Sequence, residues 1–114
     1  MKETDRKPTV HIYENGANQA LLSEICAGLE EEGIPWAISK AESTDAKTLA
    51  FDAANHSRLR VGIGITCKTA ALQIKNCPIE KPIFLIKPDS DTLDFNIRKL
   101  GTNAARAVKG GVFV

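Results

Sequence analysis

The sequence predicts a single-domain α/β fold, a layered sandwich around a largely parallel central sheet. Three observations predict it. Short apolar runs alternate with longer stretches of helical periodicity along the whole chain. The 114 residues, 43% of them hydrophobic and 25% charged, suit one modest core. No repeat, linker or low-complexity tract divides the chain, so residues 9–114 are expected to form one domain behind a flexible stretch at 1–8.

Each element follows from its residues. In PTVHIYE, Val10 and Ile12 alternate with His11 and Tyr13, the pattern of a strand with two unlike faces. ENGAN turns the chain, and Asn15 or Asn18 is placed to cap a helix. From Ala17 to Glu32, Leu21, Leu22, Ile25, Cys26 and Leu29 recur at helical spacing, and Gly33 and Pro35 end the run. IPWAISKA reads as a second strand, opened by a proline where no donor is needed. Ser43 or Thr44 is expected to cap a second helix bearing Leu49, Ala50, Ala53 and Ala54. In SRLRVGIGIT, Val61, Ile63 and Ile65 share one face, and Gly62 and Gly64 the other. A strand face without side chains predicts close packing by a helix or by another chain. TAALQIKN reads as a strand after a tight turn, and KPIFLIKP as a short buried strand. SDTLDFNIRKLGTNAARAVKGG closes the domain with a helix bent or interrupted near Gly101, where Thr102 or Asn103 would cap a new one.

Charge and cysteine usage exclude several functions. A net charge of +1 offers no broad field for nucleic acid or membrane, so neither is expected as a partner. No apolar run approaches the roughly 20 residues of a membrane span. The start, MKETDRKPT, has no apolar signal region, and a cytoplasmic location is expected. Cys26, Cys67 and Cys77 form no CxxC and read as free thiols. His11 and His56 stand far apart in sequence and provide no zinc spacing.

GIGITCKT (Gly62 to Thr69) comes close to the phosphate-loop pattern GxxxxGK[ST], with Cys67 in place of the second glycine. A strand running into a turn fits it better. A small nucleotide-binding domain using Gly62, Gly64 and Lys68 is kept as the alternative function. The first strand-to-helix junction offers only Gly16 where dinucleotide binding needs GxGxxG. Nothing places a histidine beside Cys67, and Cys26 falls on an apolar stripe. No catalytic or cofactor-binding residue is therefore expected in this chain.

Two runs stand apart. In LEEEGIPW, Glu30, Glu31 and Glu32 occupy the last turn of the first helix, where the helix dipole disfavours acids. Glu24 and Glu31, seven residues apart, project almost the same way. Ala27 and Gly28 lie between them, a small-residue patch that would admit another backbone. Solvated acids at a helix end and carboxylates meeting a partner's cation both fit. GTNAARAVKG carries Arg106 and Lys109 on one face near the end of the last helix. They either match the dipole there or form, with Asn103, a docking surface for an acidic or phosphate-bearing partner.

Taken together, GLEEEGIPW, HSRLRVGIGI, KNCPIEKPIF and LGTNAARAVKG resemble, in order and spacing, the small (beta) subunit of diol or glycerol dehydratase reactivase. The match runs from about Val10 to Gly111. The resemblance implies a Rossmann-like fold similar to the dehydratase medium subunit. It implies a chaperone-like heterotetramer whose large subunit is an ATPase and whose client is an adenosylcobalamin-dependent dehydratase. Damaged cobalamin would be released by subunit exchange, and this chain would be non-enzymatic. It also implies that Glu31 completes a Mg²⁺ or Ca²⁺ site on the large subunit, with Glu24 and Glu32 as outer partners. Ala27, Gly28, Asn103 and Arg106 would share the interface. Propanediol utilization inside a bacterial microcompartment is a further implied setting. The isolated chain, its interface exposed, is expected to form homo-oligomers. The dehydratase medium subunit itself is the other family member of this fold and typically carries additional chain.

Overall fold

The computed structural model describes residues 8–87, 93–111 and 113–114, so residues 1–7 of the expected flexible N-terminus, and the 88–92 lead into the last helix, lie outside the described residues. The element order is β1 (Val10–Asn15), α1 (Gln19–Glu31), β2 (Trp36–Lys40), α2 (Ala46–His56), β3 (Val61–Thr66), β4 (Ala70–Ile74), β5 (Phe84–Ile86) and α3 (Leu93–Lys109). The strands form one sheet in the order β2-β1-β3-β4-β5. β1 pairs parallel with β2 and with β3; β4 runs antiparallel to both β3 and β5. Four strands thus point one way, and the hairpin strand β4 makes the sheet mixed.

The two sheet faces differ in chemistry. Val10, Ile12, Ile63, Ile65, Ala70 and Leu72 turn to α1 and α3 and bury with Leu21, Leu22, Ile25, Leu29, Ile97 and Leu100. The opposite face carries Gly62 and Gly64 and receives α2. A Cβ at Gly62 would stand 2.6 Å from Ala53 Cβ, and one at Gly64 would stand 2.6 Å from Leu49 Cβ. The helix reaches the strand because both surfaces lack bulk: Ala46 and Ala50 cluster with Ala71 on the same face. The element expected to pack on the two glycines is therefore this chain's own helix.

Local chemistry sets the helix ends. Asn18 Oδ1 accepts from Ala20 N–H at 2.7 Å and caps α1. Asn15 instead donates to the Glu42 and Ser43 carbonyls at 3.0 and 2.9 Å, tying down the loop before α2. Gly33, at φ 77, closes α1: Gly33 N–H reaches the Glu30 carbonyl and Ile34 N–H the Leu29 carbonyl, at 3.0 and 3.1 Å. At α2 the cap is Asp45, not Ser43 or Thr44. Its carboxylate accepts from Lys47 N–H and Thr48 Oγ1–H, while Ser43 Oγ takes Asp45 N–H.

Two further expectations are corrected. Among the described residues β5 is an edge strand and is only partly buried: Phe84 and Ile86 are half-buried, and Leu85, on the α2 face of the sheet, keeps 45% of its surface. α3 runs unbroken through Gly101, and Thr102 and Asn103 are interior helical residues. Gly101 serves packing. A Cβ there would strike the Ile25 carbonyl group of α1.

Candidate partner interface

The seam between α1 and α3 gathers most of the charged residues singled out above. Gly28 of α1 and Gly101 of α3 are both buried, each against backbone of the other helix. A Cβ on Gly28 would stand 2.7 Å from Thr102 N and would strike the Arg98 carbonyl oxygen. The small-residue patch between Glu24 and Glu31 does admit a backbone, and that backbone is this chain's own α3. Gly28 is therefore covered within the subunit, and Ala27 is half-buried.

The close approach carries α3's cations to α1's acids. Arg98 forks between the two carboxylates that share a face. Its Nε donates to Glu24 Oε1 at 2.8 Å, and its Nη1 to Glu31 Oε2 at 3.3 Å. Glu32 turns to the end of α3, 3.0 Å from Lys109 Nζ and 3.6 Å from Arg106 Nη2. The hydrogen bond from Lys109, with the nearby positive charge, holds the Glu32 carboxyl below its ordinary 4.5. Two of the three acids at the helix end, Glu31 and Glu32, are thus met by cations within the chain. Cations of α3 offset the dipole penalty of about 0.3–1 kcal/mol per exposed carboxylate.

Burial separates the acids. The side chain of Glu24 is 25% exposed and that of Glu31 57%. Among the described residues Glu31 Oε1 makes no hydrogen bond, so one oxygen of the pair is turned to solvent. A hard divalent ion takes six or more oxygen ligands, and a single outward carboxylate oxygen is a fitting member of such a set. Among the described residues no group of three or more His, Cys, Asp or Glu side chains is gathered to hold a metal.

Asn103 does not join this seam. It is buried on the β5 side of α3, where its amide accepts from Val114 N–H at 2.8 Å and donates to the Val114 carbonyl at 3.3 Å. Phe113 stacks edge-on against Phe84 beside it, ring centres 5.3 Å apart. Asn103 and Arg106 therefore serve two different surfaces.

The remaining sequence features resolve simply. GIGITCKT is β3 running into a hairpin: Thr66 N–H bonds to the Thr69 carbonyl at 2.8 Å, and β4 follows where a phosphate loop requires a helix. Gly62 and Gly64 face α2, so their backbone cannot cradle a nucleotide. A cleft of about 330 Å³ opens at the carboxyl ends of β1 and β2, lined by Glu14, Asn15, Gly16, Gln19 and Lys40. The cysteines are free; Cys26 packs against the core, and burial, helped by Glu30, raises its thiol pKa. Sequence reasoning missed Arg98 altogether and the cluster in which Tyr13 OH meets His56 Nδ1 at 2.7 Å with His11 alongside. Both are joined only by the fold, over separations that leave no local pattern.

The architecture defines a mixed α/β fold in which α1 and α3 meet at a charged seam. The chain matches the model of the dehydratase medium subunit family over residues 7–114. It is 36% identical over 103 residues to a propanediol dehydratase-reactivating factor small subunit of Citrobacter freundii, covering 90% of this chain and 87% of that one. A diol dehydratase-reactivating factor small subunit of Klebsiella michiganensis is 33% identical over 103 residues, covering 90% and 81%. Among solved structures, a glycerol dehydratase reactivase superposes with a TM-score of 0.87 at 33% identity, covering 95% of this chain and 97% of that one. A second, at TM-score 0.86 and 32% identity over 96% and 99%, is a diol dehydratase-reactivating factor complexed with ADP and Mg²⁺. The chain belongs to the dehydratase medium subunit family and, within it, to the small subunits of dehydratase-reactivating factors.

Proposed function

We propose that this chain is the exchangeable, non-enzymatic subunit of a reactivating factor for an adenosylcobalamin-dependent diol or glycerol dehydratase. It binds a large ATPase subunit and supports ATP-dependent release of damaged cobalamin in the cytoplasm or a microcompartment. It does so by exchanging places with the dehydratase's own subunit of the same fold. The match to the medium subunit family model over residues 7–114 supports that shared seat. The chain supplies shape and charge; hydrolysis belongs to the partner.

One observation carries the docking part of the reading: Glu31 ends α1 with its side chain 57% exposed and one oxygen turned outward. It is the residue we assign to a divalent metal, Mg²⁺ or Ca²⁺, shared with the large subunit. The Mg²⁺ in the related diol dehydratase-reactivating factor structure is compatible with that assignment. Glu24 and Glu32, half-buried and ion-paired with α3, are the outer partners we assign beside Glu31. Ala27 and Arg106 lie on the flanks of this surface. Calorimetric titration of the chain into the large subunit, with and without divalent ions, tests the reading. Glu31→Gln is expected to weaken association and remove its dependence on the ion while the isolated chain stays folded. Unchanged affinity refutes the bridging role. Co-purification with a catalytic dehydratase subunit, in place of an ATPase, would instead favour the dehydratase's own medium subunit.

A further inference from the structure

We infer that Arg98 is the positioning residue of the interface: it holds Glu31 so that the second carboxylate oxygen faces a divalent cation brought by the partner. This rests on the reading of Glu31 given above and adds a residue from the far end of the chain.

Three observations lead to it. First, the backbone of Arg98 is fixed against α1. Its carbonyl oxygen is what a side chain at Gly28 would strike, so the two glycines set where the guanidinium begins. Second, the guanidinium is divided. Its Nε donates to Glu24 at 2.8 Å and its Nη1 to Glu31 at 3.3 Å. Glu24, the more buried carboxylate, has the shorter contact and offsets much of the arginine charge. Third, Glu31 uses only Oε2 in this contact. A carboxylate fixed through one oxygen presents the other in a defined direction, the outer-shell arrangement that orients metal ligands.

The competing role for Arg98 would be a counter-ion that the metal must expel. The geometry opposes it. A full counter-ion would close on Glu31 with a paired fork, whereas Glu31 is met by Nη1 alone at 3.3 Å while the shorter bond, from Nε, goes to Glu24. Arg98 therefore fixes direction more than it blocks charge. Lysine cannot replace it, because a single ammonium on a flexible stem lacks the planar fork that spans both carboxylates.

The test uses the chain with its large subunit, titrated with Mg²⁺ from an EDTA-treated start, association being followed by calorimetry. The Mg²⁺ concentration for half-maximal association is expected to rise about tenfold in Arg98→Gln and Arg98→Lys, the low end of outer-shell effects on metal affinity. Glu24→Gln leaves the glycine seam intact and removes the carboxylate that holds the Nε edge of Arg98, and it is expected to raise the Mg²⁺ requirement too. It serves where an Arg98 variant fails to fold. The double variant Arg98→Gln, Glu31→Gln is expected to behave as Glu31→Gln alone. An unchanged or lower Mg²⁺ requirement in Arg98→Gln or Glu24→Gln, with Mg²⁺ dependence lost in Glu31→Gln, overturns the positioning role and leaves the Glu31 reading intact. Unaltered Mg²⁺ dependence in Glu31→Gln overturns both.

Discussion

Gly28→Ala sets two effects of opposite sign against each other. In a helix interior alanine is favoured over glycine by about 1 kcal/mol, so propensity alone predicts a more stable protein. The packing predicts the reverse. The new methyl carbon would stand 2.7 Å from Thr102 N and 3.1 Å from the Gly101 carbonyl carbon, with the Arg98 carbonyl oxygen closer still. Ordinary contacts lie near 3.5–4.0 Å. All three atoms belong to the backbone of a packed helix, so no rotamer change relieves them. The helices must part by roughly 1 Å to restore ordinary contact. Overpacking of this kind costs about 1–3 kcal/mol, and parting the seam also loosens Ile25 and Leu29 against Ile97 and Leu100. Three short contacts to backbone atoms place the clash in the upper part of that range, about 2–3 kcal/mol, so it outweighs the propensity gain with a net loss of about 1–2 kcal/mol. At about 4 °C per kcal/mol for a domain of this size, Tm falls by about 4–8 °C. Thermal melting of the isolated chain by far-ultraviolet circular dichroism measures it. A Tm equal to or above that of the unmodified chain would refute the account of the seam.

Three more outcomes follow from local chemistry. Asp45→Ala removes the acceptor for Lys47 N–H and Thr48 Oγ1–H at the start of α2 and should cost about 1 kcal/mol in urea unfolding, with Asp45→Asn restoring most of it. His11 is held below its ordinary 6.5, first by burial and then by His56, so the unfolded chain binds its proton more readily. Stability should therefore fall as pH drops from 6.5 through the lower folded-state value, and urea midpoints across that window should show a flatter slope in His11→Gln. Maleimide should label exposed Cys67 well before Cys26, whose thiol is shielded and raised in pKa; equal rates under native conditions would contradict the packing of α1.

Much of the fold was legible because it is written in short-range patterns. The alternation in PTVHIYE, the helical stripe from Leu21 to Leu29 and the bare face of Gly62 and Gly64 each sit within one element. Each matches an observed strand, helix or close contact. The misreadings arose where one residue type serves two purposes. Gly101 reads as a helix breaker, yet in α3 its missing side chain lets Ile25 of α1 approach, and packing outweighs propensity. Asp45, Ser43 and Thr44 are all competent caps, and only the path of the loop, fixed by Asn15, selects Asp45. KPIFLIKP is apolar enough for a central strand, and its edge position is a property of sheet order, which no local pattern encodes.

The acidic turn shows the same division at the level of the site. Glu30 to Glu32 could be singled out because three acids contradict a local rule, the dipole at a helix end. Their partners could not, because Arg98, Arg106 and Lys109 lie 67 or more positions away and meet the acids only when Gly28 and Gly101 let the helices touch. An exposed ion pair of this kind contributes about 0–1 kcal/mol to stability, too little to explain three acids in one turn. Glu32 has its two cations and Glu24 has the shorter half of Arg98. Glu31 is left with the longer half, an outward oxygen and more than half its surface in water. Of the three acids paired with α3, Glu24, Glu31 and Glu32, Glu31 would be the most replaceable if stability were all they supplied. Glu31→Gln should accordingly leave Tm within about 1–2 °C of the parent, since surface changes stay within about 0.5 kcal/mol, yet association with the large subunit should fall, which a purely stabilising role does not predict.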